Sequence, residues 1–136
     1  MKRSKLVVPL AVFGPRGEDP FRLTREQLSP LVNVLSPEVR RRVGRYLRSG
    51  TTVFPIMGYT EDVLGGKFGV SGGIAIVTDG VYYWRQDAAD YVEHYGIGLP
   101  EDQVEHMRRS SWRAAPLDDR QIAAIDKFLC GKLRDQ

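Results

Sequence analysis

The chain has 136 residues and a mass of 15.4 kDa, with 42% hydrophobic and 27% charged residues, a formal net charge of +3 and a pI near 9.2. A chain of this size buries roughly two thirds of the surface its unfolded form exposes, so one core suffices without disulfides or a structural metal, and the lone Cys130 forms neither by itself. No apolar run approaches the ~20 residues that cross a bilayer, which argues against a helical membrane protein.

The charge is unevenly spread: residues 1–50 carry 11 Lys and Arg against 4 Asp and Glu, residues 51–100 carry 2 against 6, and residues 101–136 carry 7 of each. A basic first third followed by an acidic middle suits contact with a charge-complementary partner, whether a protein, a nucleic acid or a second copy of the chain. Lys2, Arg3 and Lys5 precede the apolar run 6–13 in the manner of a signal peptide. That run is only eight residues long, contains Pro9 and is followed by no small-x-small cleavage site. The expectation is therefore an N-terminal edge strand, where proline is tolerated, in a cytoplasmic protein.

From Thr24 the pattern is helical. Thr24 and Gln27 have capping-box spacing, Leu28, Leu31, Val32 and Leu35 recur at helical intervals, and Ser29-Pro30 marks a second start or a kink. Ser36-Pro37-Glu38 then supplies an N-cap, a first-turn proline and an acidic residue for a helix running to about Arg48 and stopping at Gly50. Val39, Val43, Tyr46 and Leu47 fall on one stripe, which leaves Arg41, Arg45 and Arg48 opposite, flanked by Arg40 and Arg42. Residues 51–59 read as an outer strand about Pro55, and the glycine-rich stretch 65–73 reads as a mobile connection.

Residues 74–78 and 81–85 are β-rich runs on either side of Asp79-Gly80, a pair suited to a two-residue type I′ turn. That turn predicts Thr78 opposite Val81, Val77 opposite Tyr82, Ile76 opposite Tyr83 and Ala75 opposite Trp84. Both faces of the hairpin are then apolar, so it must lie between helices or present an aromatic face to a partner. Three helices follow. The first begins at Asp87 with Asp90, carries Ala88, Tyr91, Val92 and Tyr95 on one stripe and ends at Gly96. The second runs from Pro100-Glu101-Asp102 to Arg108-Arg109, burying Val104 and Met107. The third is capped by Asp118 or Asp119 and turns Ile122, Ile125, Leu129 and Leu133 inward. The predicted class is α+β: one domain, residues 1–136, with a small antiparallel sheet containing the hairpin and about five helices.

Catalytic signals are weak. Glu93-His94 and Glu105-His106 place each pair about 100° apart around a helix, so no metal ligand set converges and the histidines read as surface residues. Cys130 lies in an apolar helical stretch, and Ser71 only imitates a nucleophile elbow because it precedes a strand. Lys67 within the glycine-rich stretch lacks the Gly-Lys-Ser/Thr ending of a P-loop. No cofactor is implied. Two binding surfaces remain. Asp62, Asp79 and Asp87 with Tyr82, Tyr83 and Trp84 combine aromatics and carboxylates as protein-binding hot spots do, whereas Arg40, Arg41, Arg42, Arg45 and Arg48 are able to neutralise phosphates of a nucleic acid.

Tyr46-Leu47-Arg48-Ser49-Gly50, Asp62, the run from Thr78 to Trp84, the run from Tyr91 to Tyr95, and Leu99-Pro100-Glu101 together resemble a group of small actinobacterial-type proteins. Proteins of that group are similar to immunity proteins of polymorphic toxin systems, which bind and block a cognate toxin. The resemblance covers residues 46–112 and implies a non-enzymatic inhibitor with a protein partner and no membrane association. It carries over no catalytic residue. The basic first third departs from the acidic surface of an inhibitor that mimics nucleic acid, which points away from a nuclease-type toxin. A nucleic-acid-binding accessory domain and a small enzyme or ligand-binding domain using the 65–73 loop are the alternatives.

Overall fold

The computed structural model describes residues 6–54 and 58–134. In chain order its regular elements are β1 (Val8–Pro9), α1 (Arg25–Leu28), α2 (Pro37–Arg48), β2 (Thr51–Phe54), β3 (Tyr59–Glu61), β4 (Gly69–Ser71), β5 (Ile76–Thr78), β6 (Tyr82–Arg85), α3 (Ala88–Tyr95), α4 (Glu101–Arg109) and α5 (Asp119–Arg134). Short 3-10 turns at Ala11–Phe13 and Ser29–Leu31 join the first of them. The α+β class and the five helices agree with the sequence reading. Pro55, the expected centre of an outer strand, lies outside the described residues, and β2 and β3 stand on either side of it.

The main sheet has the order β1-β6-β5-β2, and β3-β4 form a separate antiparallel pair. The sheet is mixed rather than wholly antiparallel, because β1 runs parallel to β6 with Val8 opposite Tyr82 and Pro9 opposite Tyr83. β1 is an edge strand, where the missing N–H of Pro9 interrupts no ladder. The hairpin register differs from the expectation by two: Thr78 faces Tyr83, Val77 faces Trp84 and Ile76 faces Arg85. Asp79 is the reason. Its Oδ1 accepts the N–H groups of Val81 (2.8 Å) and Tyr82 (2.7 Å), while its own N–H donates to the Tyr82 carbonyl (3.3 Å), which places the bend at Gly80-Val81. Gly80 takes the positive φ, +94°, that this bend requires. A slip of two leaves each side chain on its expected face.

Those faces meet separate cores. Val77 and Trp84 pack with Val43, Tyr46 and Leu47 of α2, Ala88, Ala89, Tyr91 and Val92 of α3, and Val104 and Met107 of α4. Ile76 and Tyr83 join Val7 and Val53 beneath Ile125, Leu129 and Leu133 of α5. The hairpin is thus sandwiched between helical layers, one of the two arrangements its apolar faces required.

The helix ends follow the sequence signals closely. Thr24 and Gln27 complete a reciprocal capping box, the Ser36 side chain accepts from Val39 N–H, and Asp118 exchanges hydrogen bonds with Gln121. Gly96 ends α3 with φ +63°. α2 and α3 come close enough at Gly44 that an added Cβ would lie 2.4 Å from Cγ of Glu93, so a larger residue there would have to displace the Glu93 side chain. The stretch read as a mobile connection is instead ordered by β4 and by a turn built on Asp62.

Candidate functional site

The hairpin residues expected to meet a partner are mostly enclosed by the chain itself. Tyr83 and Trp84 are 0% and 1% exposed, and Asp62, Asp79 and Asp87 are buried. Tyr83 donates its hydroxyl to the Pro15 carbonyl (3.0 Å), and the Trp84 indole N–H donates to the Leu47 carbonyl (3.2 Å). Asp87 occupies the N-cap position of α3 without capping it. Its carboxylate instead accepts from Arg85 Nε (2.9 Å) and Nη2 (2.8 Å) and from the Thr60 hydroxyl (3.0 Å). Burial nevertheless pushes the Asp87 carboxyl up from its ordinary range, with the Arg85 contacts opposing. These five residues therefore offer a partner little surface, and their hydrogen bonds are made within the fold. Tyr82 alone of the six is half-buried.

Asp79 also organises a polar cluster that the sequence did not disclose. Its Oδ2 accepts from the Tyr46 hydroxyl of α2 (2.5 Å) and lies 2.9 Å from Nε2 of His106 on α4. The His106 side chain is 29% exposed, and the Tyr82 ring meets it edge-on at 5.1 Å. Burial first, then Asp79, raises the Tyr46 hydroxyl well above its ordinary pKa, so it remains a donor. Burial, followed by the charges of Asp102 and Asp79, also raises Tyr82. Ser110, the C-cap of α4, donates its hydroxyl to the His106 carbonyl (3.3 Å). The cluster links the hairpin turn to two helices, and His106 is a member of it rather than a free surface residue.

Asp62 closes the glycine-rich loop in a similar way. Its Oδ1 accepts from Leu64 N–H (2.7 Å) and Gly65 N–H (3.3 Å), and its Oδ2 from Lys67 N–H (2.8 Å) and the Tyr95 hydroxyl. Burial alone would raise this carboxyl, but those donors together hold it below the usual carboxylate range. Tyr95 is pushed up to about 12 by burial and by Asp62. Within the 65–73 loop the Gly65 and Lys67 amides already face the chain's own carboxylate, which takes two donors away from any phosphate.

The five arginines of α2 separate into different roles. Arg40 turns inward, donating from Nη2 to Asn33 Oδ1 (3.2 Å) and the Leu35 carbonyl (3.1 Å). Arg48 is bound to α3 through Glu93 (2.6 Å) and Asp90 (3.2 Å), which raise its pKa further, Glu93 most strongly. Arg42 pairs with Glu38 at 3.0 Å on the exposed surface. Arg41 and Arg45 are exposed and, among the described residues, have no carboxylate partner. These two, with Arg42, Glu38 and Trp112, line a groove of about 420 Å³.

Trp112 reaches that groove by an unusual route. Beyond α4, Ser111 N–H donates to the Arg108 carbonyl (3.0 Å) and Trp112 N–H to the Met107 carbonyl (3.0 Å), a Schellman-type ending. Ser111 and Trp112 both take positive φ, +55° and +61°, where non-glycine residues cost roughly 1–2 kcal/mol each. The Arg108 guanidinium lies over the Trp112 ring at 5.5 Å from its centroid. The sequence signal for this arrangement was faint: a tryptophan three residues beyond two arginines, in a segment with no periodicity.

Among the described residues no group of three or more His, Cys, Asp or Glu is arranged to hold a metal ion, and no helix is long and apolar enough to cross a membrane. No family model matches the chain, and comparison with curated proteins and with solved structures returns no match.

Proposed function

We propose that the protein is a non-enzymatic binding domain that docks an acidic protein partner on the outer face of α2, consistent with an immunity-like inhibitor of a cognate toxin. One observation carries this reading: Arg41 and Arg45, exposed and without carboxylate partners among the described residues, flank Trp112 in a shared groove. Arginine and tryptophan are the side chains most concentrated at interface hot spots. Glu38 and the Arg42 it pairs with supply a polar edge, as interfaces commonly have. The expected partner surface is acidic and presents carboxylates to the two open guanidinium groups, with an apolar or aromatic residue against Trp112.

The test compares host proteins retained by the immobilised wild-type protein with those retained by an Arg41→Glu/Arg45→Glu variant. A specific protein retained by the first and lost by the second, then reconstituted from purified components, supports the reading. Equal retention by both overturns it. The same groove could stack a nucleobase on Trp112 and hold phosphates with the arginines. Titration of labelled single- and double-stranded oligonucleotides at low salt separates the two readings: binding that disappears in the Glu variant, with no retained protein, favours nucleic acid.

A further inference from the structure

We propose that the open cleft between parts of residues 11–22, the segment 27–34 and residues 98–100 is a binding site for a small organic anion, with its acid group at Arg16, Arg22 and Arg85 and its apolar body against Val12, Leu31 and Leu99. This site is separate from the α2 groove and does not depend on it.

The cavity measures about 600 Å³, within the range of sites that take small molecules. Arg85 lines it with a side chain only 6% exposed, which makes the positive group a fixed part of the wall. Its guanidinium has five N–H bonds. Nε and Nη2 donate to Asp87 and Nη1 to the Phe21 carbonyl (2.7 Å), leaving two N–H bonds without a protein acceptor among the described residues. The Phe21 contact also ties the 20–22 segment to the cavity wall.

Asp87 balances the charge of Arg85, so the attractive field comes from Arg16 and Arg22. Both are exposed, neither has a carboxylate partner among the described residues, and no Asp or Glu lines the cavity. Gln27 adds a neutral donor: its Oε1 accepts from Thr24, which leaves its NH₂ group free of that contact. Apolar side chains make up much of the remaining lining, which disfavours a bare inorganic ion or a sugar and favours an acid group carried on a hydrocarbon or ring. The wall includes Ala11 at φ +42°, a conformation costly for a residue with a Cβ. Carboxylate and phosphate monoester share the chemistry that three arginines recognise.

Calorimetric titration with octanoate, octyl phosphate and neutral octanol tests the assignment. Saturable one-to-one binding of either anion, with octanol about tenfold weaker or more, is the expected result, and the tighter anion identifies the head group. Arg16→Gln/Arg22→Gln, placed on exposed residues, is expected to weaken the anion by about tenfold or more while leaving the ligand-free melting temperature unchanged. Arg41→Ala/Arg45→Ala is expected to leave it unaffected. The proposal is overturned if neither anion binds below about 1 mM, if octanol binds equally well, or if the Arg16/Arg22 variant retains wild-type affinity.

Discussion

The β5–β6 hairpin and the outer face of α2 each concentrate residues typical of interfaces, aromatic rings in one and arginines in the other. In the hairpin, Tyr83 packs towards α5 and Trp84 towards α2, α3 and α4, so both rings are consumed by the two cores. Burying a large apolar side chain is worth roughly 1.5–3 kcal/mol, and a small domain gains more from enclosing such rings than from displaying them. An arginine incurs no such cost in water. It turns inward only where an acceptor draws it, as the Leu35 carbonyl does for Arg40, or stays at the surface already paired, as Arg48 does with Glu93. The candidate interface is what internal pairing leaves over on α2, Arg41 and Arg45, beside the half-buried Trp112 ring.

The largest expected effect breaks the hairpin side of this comparison. Trp84→Ala removes a fully buried indole and the donor to the Leu47 carbonyl, and should destabilise the fold by about 3–5 kcal/mol. Denaturant unfolding should show a lower midpoint with an unchanged slope. If Trp84 were a contact residue instead, the variant would keep wild-type stability and lose only its partner.

A smaller effect tests the buried carboxylate of Asp62. Asp62 has a folded pKa below its unfolded value of about 3.9. The folded state therefore binds protons less readily, and the stability this contributes is present above about pH 4 and lost as pH falls through the folded value. At the alkaline end Tyr95, pushed up to about 12, contributes stability that is present below about pH 10 and lost as pH rises towards the folded value. Asp62→Asn should flatten the acid limb of a stability–pH profile and reduce the Tyr95 contribution at the alkaline limb, where burial still acts. An unaltered profile would remove Asp62 from the structural class and return it to consideration as a surface group.

Local signals made the secondary structure legible, and the lack of them hid the sites. Thr24 with Gln27, Ser36-Pro37 and Gly96 act within one helical turn, so sequence spacing alone located three helix ends. The faces of the hairpin were legible because alternation survives a slip of two. Its register was not, because Asp79 captures Val81 and Tyr82 N–H with its side chain and shifts the bend by one residue. The Tyr46–Asp79–His106 cluster joins residues 33 and 27 positions apart, with no periodicity to reveal them. The parallel pairing of β1 was equally hidden, since it joins Val8 to Tyr82 across most of the chain. The arginine stripe was visible as a stripe, but which members stay open depended on Asp90 and Glu93 of another helix.

The smallest expected effect on stability sharpens the other side of the comparison. Arg41→Ala/Arg45→Ala removes two exposed side chains that make no ion pair among the described residues, and alanine has the higher helix propensity, so stability should change by no more than about 0.5 kcal/mol. Arg48→Ala is the internal control on the same helix, because it also breaks contacts with Asp90 and Glu93 and should be the more destabilising change. If the double variant unfolds substantially earlier than wild type, Arg41 and Arg45 hold the fold together and the open-arginine argument for docking fails. If stability is retained while partner binding is lost, the outer face of α2 is separable from the core, as a docking surface must be.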